Sequence, residues 1–560
     1  MKFRQRLLRA GFVQSITAVA TLGLLMTSAG CDRGEKAPSP APMKMVNGYP
    51  APRFPKYIAE PTDADLLAAA RVVVQQPHGL APLGTAQPGQ TVHVILQLQQ
   101  DMRVWEAIRK AWAERGVKAI AVPIWTVAGM TKPEFQKAVS GTLLRGEEGW
   151  KEIGVFDPIY MPYLPAAVQK EIDTPLSMMS RNRLYMGKFL DAHPEIEHLY
   201  VDPGGGVFFF AALAGDRHAS KFLGNWMYED KTDLLMKSSS FPSDVWSMIE
   251  DKVVRPIDKV SEGSFIDPEG TRLHWAVTRP EAIRWKQFAS VANNHMFLYP
   301  HPRNATEMSG VICGSANHVG FYPRMCVHLD KHGRVVRVDG GGKNGDLFRH
   351  LVTQPLFANA KFPTAKDPGY WYISPDGFAT NPKFIRNMET LVNGSTDFTN
   401  LSERQRGGVQ HFSFSSFAGL FDATPAEIDK ALQEKRGMGR LFDIDPKDIL
   451  YAKANKLPIS HTAHVHVYFG TVKYRLRDNG EVLTISEKGR VSAYSNPEVR
   501  ALAAKYGDPD SLLSYDWVPG IPGINEPGDY QKEYARDPWS WLAREWKQIT
   551  EGSYPYLAKE

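Results

Sequence analysis

The sequence has few cysteines, no long apolar run after its first thirty residues and almost no charge imbalance in its body. Its 560 residues include three cysteines, without the paired spacing of a zinc site. No apolar stretch beyond residue 30 is long enough to cross a membrane as a helix. Four basic residues among the first ten account for most of the formal charge of +5 and leave +1 for the remainder. A nearly neutral body lacks the basic footprint of a nucleic-acid-binding protein, so we expect no nucleic-acid partner.

Several short catalytic and nucleotide-binding signatures are also missing. The sequence contains neither a GxSxG nor an HExxH motif. The glycine triplets at 204–206 and 340–342 match neither a P-loop nor a dinucleotide fingerprint, and a tight turn before a helix explains them more simply. A catalytic site must therefore be sought in another pattern.

The first 31 residues have the pattern of an export signal. A basic flank and an apolar stretch at 10–26 precede small residues that end at Cys31. This ending resembles a bacterial lipobox, in which the cysteine is lipidated, although Ser28 stands where leucine is usual. We therefore expect lipidation at Cys31 and a lipid anchor on the periplasmic face of a bacterial membrane, with the inner membrane favoured by Asp32. The alternatives are an uncleaved anchor helix, or cleavage with an incidental Cys31.

Composition and periodicity divide the remainder into a tether and two domains. Residues 32–61 contain seven prolines and few branched apolar residues, which predicts an extended, poorly packed tether. In 62–260, short β-branched runs alternate with apolar residues at helical spacing. Such alternation predicts a parallel sheet with helices packed on it, and hence an α/β domain. The strands are expected at 91–98, 118–123 and 198–201, and a helix at 101–116.

Residues 261–560 predict a mainly β (α+β) domain. It is expected to begin with a hairpin at 264–277 and to contain a later strand pair at 463–470 and 472–476. The irregular, partly polar stretch at 390–450 predicts an insertion with one helix at 425–436. The other strands are expected at 296–299, 310–313, 324–329 and 335–339. A C-terminal helix is expected to dock onto the body through Trp539, Trp541 and Trp546.

Cys313 and Cys326 are the two cysteines of this second domain. In an oxidising compartment they could form a disulfide that closes a short loop, worth about 3 kcal/mol in the loop-entropy model. Two buried free thiols are the alternative, and a mass measurement with and without reduction separates the two.

Closely spaced histidines at 461–470 (HTAHVHVYFG) form the most informative cluster. On a strand, His464, His466 and Tyr468 point to one face, because side chains alternate with a period of two. Two imidazoles on one face can share a metal ion with a carboxylate or a third histidine from elsewhere. Candidates for further ligands are His295, His301 and, more weakly, His411. The alternative is a polar strand face with incidental histidines.

A series of motifs follows one another along the chain over residues 90–390 and 460–490. They are FIDPEGTRLHWAV, NHMFLYP, GVICG, HGRVVRVDGGGKNGDLFRHLV, GFATNPK and HVHVYFG. In order and shape they resemble the aminopeptidase T (leucyl aminopeptidase) family, to which dihydroxypyridine ring-opening dioxygenases are related. The resemblance implies a peptide or other small-molecule substrate and a homodimer.

The family's aminopeptidases bind two metal ions through two glutamates, two histidines, a tyrosine and an aspartate. By motif position, His295 stands for the first glutamate and His466 for the first histidine. The second glutamate falls near Pro375, where the adjacent Asp376 could substitute for it. Tyr474, one residue out of step, or alternatively Tyr468, could stand for the tyrosine. The final His-x-Asp pair has no counterpart, since residues 471–473 read TVK. A missing pair of ligands weakens a two-metal site, because fewer groups hold the ions that polarise a water.

Three functions are consistent with these features. The first is an exported, metal-dependent hydrolase of peptides or related amides, with zinc, manganese or iron as the divalent ion. The second is a mononuclear iron dioxygenase that cleaves aromatic rings, because two histidines and a carboxylate leave iron positions open for oxygen and substrate. The third is a non-catalytic binding lipoprotein. The residues of the hydrolase would be His295, His464 and His466 as metal ligands, and Asp376, Glu307 and Tyr474 as catalytic groups.

Overall fold

The computed structural model describes residues 44–54, 60–77, 83–96, 100–135, 162–171, 186–201, 216–225, 232–292, 295–317, 320–384, 406–419, 423–438, 444–459 and 461–557. The chain forms two units, Met1–Pro40 and Ala41–Glu560, and the described residues all belong to the second. The predicted export signal and Cys31 therefore lie outside the described residues. Within those residues, no helix is long and apolar enough to cross a membrane.

Part of the predicted tether is packed rather than loose. Residues 44–54 include a short hairpin of β1 (Met45–Val46) and β2 (Tyr49–Pro50), which turns at two residues of positive φ. The Tyr49 ring lies edge-on to Phe469, with 5.6 Å between the ring centroids. Asn525 Nδ2 also donates to a β2 carbonyl (2.9 Å). This stretch differs from the sequence prediction because proline removes a backbone donor but does not prevent side-chain packing.

The first sheet is parallel and carries helices, as the sequence predicts. Its strands, in spatial order, are β4 (Lys118–Pro123), β3 (Thr91–Leu96), β5 (His198–Val201) and β6 (Phe222–Asn225). Helices Asp63–Val73 and Met102–Glu114 share one apolar core with this sheet. The second helix begins after Asp101, whose side chain accepts from the Arg103 N–H, and is followed by Gly116 at φ +76°. The α/β class of this part is confirmed.

The second part consists mainly of antiparallel strands. They are β7 (Val260–Ile266), β8 (Arg272–Ala276), β9 (Ser290–Ala292), β10 (His295–Met296), β11 (Glu307–Asn317), β12 (Gly320–Leu329), β13 (Val335–Gly340), β14 (Trp371–Ser374), β15 (Gln410–Ser416), β16 (His461–Val467), β17 (Thr471–Leu476), β18 (Val482–Glu487) and β19 (Arg490–Val491). A large sheet has the order β13-β12-β11-β8-β7-β17-β18-β19, and a small sheet has the order β14-β15-β16. The longer helices here are Ser243–Val254, Arg279–Phe288, Gly342–Thr353, Pro425–Gln433, Pro446–Ala454, Pro497–Ala503 and Pro538–Thr550. The helix Thr232–Ser240 precedes them and contributes Leu235 to the core of the first sheet. The predicted β-rich second part is confirmed.

A disulfide joins two neighbouring long strands of the large sheet. Cys313 on β11 and Cys326 on β12 are direct cross-strand partners, with Cα atoms 4.1 Å apart and a sequence separation of 13. The Thr271 hydroxyl donates to the Cys313 carbonyl and accepts from the Cys313 N–H, both at 2.9 Å. The structure thus contains the cross-link and not the pair of free thiols.

The small sheet stacks on the large one through alternate side chains. Phe412 on β15 meets Phe265 on β7 edge-on, with ring centroids 5.0 Å apart. Gly314 on β11 allows β16 to approach, because a Cβ there would lie 2.6 Å from Val465 Cγ1. Since side chains alternate along a strand, the residues between these positions point to the opposite face. On that face lie His411, Ser413, His464 and His466.

The predicted insertion at 390–450 contains a core strand. β15 lies at the centre of the small sheet, and all of its residues are buried. The glutamine and serines of this segment are typical of a loop. The sheet nevertheless accommodates them; for example, Ser413 Oγ donates a hydrogen bond to the Ser374 carbonyl (3.3 Å). The helix Pro425–Gln433 agrees with the predicted helix and begins with a capping box at Thr424. Residues 385–405, 420–422 and 439–443 lie outside the described part.

The C-terminal helix packs against the body with aromatic side chains. In Pro538–Thr550, Trp539 is buried, and Trp541 Nε1 donates to the Gly520 carbonyl (3.0 Å). Trp546 is partly buried against the same core. The helix is therefore a docking element, in agreement with the sequence.

Buried glutamates accompany this helix. Glu545 accepts a hydrogen bond from the Tyr554 hydroxyl (2.7 Å). Glu526 is only 7% exposed, and burial together with the charges of Glu545 and Glu533 raises the pKa of Glu526 to about 7. The C-terminal segment therefore packs around a carboxyl group, that of Glu526, which gives up its proton only near neutral pH.

Candidate functional site

A β-bulge sets the position of Asp376. Ser374 ends β14 and pairs with Ser413, and the next bridge joins Phe378 to Gln410. Between these two pairs, three residues (375–377) lie on the segment that follows β14, whereas two residues (411–412) lie on β15. One extra residue on one strand is the definition of a β-bulge. A bulge bends its strand and redirects a side chain, and here the extra residue lies in the stretch that carries Asp376.

Asp376 lies against two histidines of the small sheet. Its Oδ2 is 3.1 Å from His464 Nε2, and its Oδ1 is 3.7 Å from His411 Nδ1. The His411 ring stacks on His466, with centroids 4.6 Å apart and ring planes at 25°. This stacking follows from the strand register, in which His411 and His466 are direct partners. We call Asp376, His411, His464 and His466 the Asp376 cluster.

Two members of the Asp376 cluster retain some contact with solvent. His411 and His466 are 1% and 0% exposed, whereas the side chains of Asp376 and His464 keep 14% and 8%. A water or substrate group that reaches this cluster would therefore meet Asp376 and His464 first.

The Asp376 side chain is held as a carboxylate. Burial alone would raise the pKa of Asp376, but hydrogen bonding by His411 and His464 and their charges outweigh it and hold the pKa well below its usual range. The Gly377 N–H adds a hydrogen bond to Oδ1 (2.7 Å). A histidine that donates one ring N–H to a carboxylate keeps its other ring nitrogen as an acceptor. Asp376 and His464 therefore have the arrangement of an acid–base dyad.

Side-chain donors bind carbonyls at the bulge. The Tyr299 hydroxyl and Ser413 Oγ donate to the Ser374 carbonyl at 2.9 and 3.3 Å. Gln410 Nε2 donates to the Asp376 carbonyl (3.3 Å). Sequence reasoning missed all three donors, although the NHMFLYP motif that contains Tyr299 was a signal that could have identified one of them.

The structure brings together part of the set that the sequence predicts. Asp376, His464 and His466 lie in one cluster, and the weaker candidate His411 is its fourth member. The backbone of His295 on β10 pairs with Ala292 on β9, but the structure does not describe the His295 side chain. His301 Nδ1 instead accepts from a backbone N–H in the turn that follows it.

Three predicted residues lie outside the Asp376 cluster. Glu307 is exposed at the start of β11 and accepts from the Ser309 hydroxyl (3.2 Å). Tyr474 on β17 donates to a backbone carbonyl in the aromatic core of the large sheet (2.9 Å). Tyr468 lies edge-on to Trp517. Glu307 and Tyr474 belong to the large sheet, whereas the cluster lies on the small one.

The described residues do not fit the predicted metal centre. Among them, no group of three or more histidine, cysteine, aspartate or glutamate side chains is placed to hold a metal ion. The two oxygens of Asp376 each face a different imidazole. We therefore derive no chemical step through a metal ion.

Comparison with known proteins finds a remote similarity of fold. No protein-family profile matches the chain, and no curated protein matches it. Among solved structures, it is similar to 2,5-dihydroxypyridine dioxygenase from Pseudomonas putida KT2440, at 11% identity and a TM-score of 0.34, over 78% of this chain and 99% of that one. It is also similar to AmpT from Thermus thermophilus, at 12% identity and a TM-score of 0.35, over 77% of this chain and 99% of that one. The remote resemblance seen in the motifs is confirmed, and it concerns the fold alone.

Proposed function

We propose that this protein is an exported hydrolase of peptide or related amide bonds, with Asp376 and His464 as its acid–base pair. The observation that carries the proposal is the carboxylate of Asp376, which a bulge directs toward His464 while both side chains keep a small exposed fraction. A strongly shifted pKa beside a partner of this kind is a common mark of catalytic sites. Its peptide-like substrate is supported by the motif resemblance.

The proposed chemistry uses His464 as the proton carrier. Its imidazole takes a proton from a water molecule as the water oxygen bonds to the scissile carbonyl carbon. It then gives that proton to the amine that leaves when the carbon–nitrogen bond breaks. Asp376 orients the ring and stabilises the imidazolium between these steps. Proton transfer by a positioned side chain contributes roughly 10²- to 10⁴-fold to such a rate.

The test is hydrolysis by the full-length protein, purified in detergent without chelator and assayed with aminoacyl amides and short peptides. His464→Ala and Asp376→Asn are expected to lower kcat by about 100-fold or more. His328→Ala is the matched control, because His328 forms a similar pair with Asp339 (2.7 Å) on the large sheet, and its activity should equal that of the wild type. Wild-type activity in His464→Ala would refute the proposal.

Metal and oxygen measurements on the same preparations separate the alternatives. Near-stoichiometric zinc, manganese or iron that disappears in His464→Ala would replace the dyad with a metal-dependent hydrolase. Oxygen uptake with catechol-like or pyridinol-like compounds would replace hydrolysis with ring cleavage at iron. A folded protein that binds such compounds or peptides and converts none of them would be a binding lipoprotein.

We also propose that a lipid on Cys31 anchors the protein to the periplasmic face of a bacterial membrane. The basic, apolar and small-residue order of residues 1–31 supports this location. Cys31→Ala is expected to move the protein from the membrane fraction to the soluble fraction. A variant that still partitions with membranes would exclude the lipid anchor. Light scattering of the purified protein tests the homodimer that the resemblance implies.

A further inference from the structure

We infer that Tyr299 is a positioning residue for Asp376, which it holds toward His464 through the bulge between Ser374 and Phe378. The inference rests on the proposed function, since the position of Asp376 affects catalysis only if the Asp376 cluster is the active centre. Its basis is the hydrogen bond from the buried Tyr299 hydroxyl to the Ser374 carbonyl, at the point where the ladder between β14 and β15 is interrupted.

One hydroxyl group contacts both chain segments that carry the cluster. Tyr299 OH donates to the Ser374 carbonyl (2.9 Å) and lies 3.4 Å from the His411 carbonyl. Ser374 comes two residues before Asp376, and His411 faces the Asp376 Oδ1 atom. The hydroxyl thus joins the start of the bulge to the strand opposite it, and its loss would remove one of the hydrogen bonds that hold the two segments together.

Tyr299 is itself held firmly in the core. Its ring is fully buried and stacks on Phe412, with centroids 5.3 Å apart and planes at 23°. Burial and the charge of Asp376 raise the pKa of Tyr299 well above 10, although backbone hydrogen bonds from Asp376 and Ser413 act in the opposite direction. The hydroxyl therefore keeps its proton and remains a donor over the working pH range.

Gln410 supports the other end of the bulge. Its Nε2 donates to the Asp376 carbonyl (3.3 Å) and to the His411 carbonyl. Gln410 is fully buried on the central strand of the small sheet. Tyr299 and Gln410 thus donate hydrogen bonds to the Ser374 and Asp376 carbonyls, on either side of the Asp376 side chain. A side chain that only packed against the bulge would make no such bonds.

The test compares Tyr299→Phe with Tyr370→Phe in the full-length protein. Tyr370 is an equally buried tyrosine, and its hydroxyl donates to the Pro458 carbonyl (2.6 Å). Because a displacement of about 1 Å can cost about 100-fold in rate, Tyr299→Phe is expected to lower kcat by about 10- to 100-fold with KM unchanged. Its acid limb of kcat/KM should move to lower pH, since the imidazolium loses part of the carboxylate's support. Tyr370→Phe should show neither change.

The outcomes distinguish this inference from the proposed function. If Asp376→Asn abolishes activity but Tyr299→Phe keeps the wild-type kcat and pH profile, the positioning role is wrong and the dyad stands. If Asp376→Asn has no effect, the proposed function fails first. Should Tyr299→Phe not fold, Gln410→Met provides the second variant, with the same expected change in kcat and in the acid limb. An unchanged profile in Gln410→Met would then overturn the inference.

Discussion

Replacing Glu526 with glutamine is expected to remove a loss of stability that the native protein undergoes as the pH rises from about 4.5 to 7. Glu526 is 7% exposed, and burial with the nearby charges of Glu545 and Glu533 moves its pKa from 4.5 to about 7. The folded state therefore binds the proton more tightly than the unfolded state. Its stabilising contribution is complete below the unfolded pKa and is lost as the pH rises through the folded pKa, a change of roughly 3 kcal/mol.

Urea denaturation of the full-length protein at pH 4.5, 6 and 8 measures this effect. Wild type and Glu526→Gln should have similar free energies of unfolding at pH 4.5, and the variant should be more stable by up to about 3 kcal/mol at pH 8. Glu269 has a pKa raised to about 7 by burial and by Asp267, so it changes both proteins equally and cancels in the difference. Glu551→Gln is the control, because Glu551 is exposed at the end of the C-terminal helix Pro538–Thr550. Parallel pH profiles for wild type and Glu526→Gln would refute the reasoning.

Two further predictions concern the large sheet. Replacing both Cys313 and Cys326 with serine should lower the free energy of unfolding by about 3 kcal/mol, since the cross-link closes a short loop. Intact mass with and without reduction first verifies the bond. Equal denaturation midpoints for the wild type and the double variant would contradict the estimate. Gly314→Ala should cost about 1 to 3 kcal/mol, because its Cβ would lie 2.6 Å from Val465 Cγ1 and 2.9 Å from the His466 carbonyl oxygen. Its effect is read from the same denaturation midpoints, and wild-type stability would show that the two sheets can separate without cost.

The sequence predicts the layered architecture well, because the periodicity of apolar residues reflects how each strand or helix is buried. The same periodicity correctly places His464 and His466 on one strand face. It does not reveal β15, where the Ser413 hydroxyl, for example, donates to the carbonyl of Ser374, which is distant in sequence. A polar strand in a buried sheet carries no local apolar signal.

The separation of the predicted site residues over two sheets has a similar physical origin. His466 and Tyr474 lie on consecutive strands, yet β16 belongs to the small sheet and β17 to the large one. Gly470 lies between these strands and leaves room for the Phe265 ring, because a Cβ there would be 2.2 Å from Phe265 Cζ. Proximity along the chain therefore suggests a shared site that the change of sheet prevents. The bulge that directs Asp376 is equally invisible, because one extra residue has meaning only relative to its partner strand.

The position of β17 in the large sheet has a consequence for how the chain reaches its native state. β7 pairs with β8 a few residues later, but its other edge pairs with β17, which begins at Thr471. Until that segment is available, a newly emerging chain presents β7 as an open edge with unpaired N–H and carbonyl groups, and such edges recruit other chains. The entropy of closing so long a loop also delays the pairing. Truncation before β17 should therefore yield aggregates rather than a smaller folded protein, and the nascent chain would need to be kept apart from its copies until about the last sixth of its synthesis.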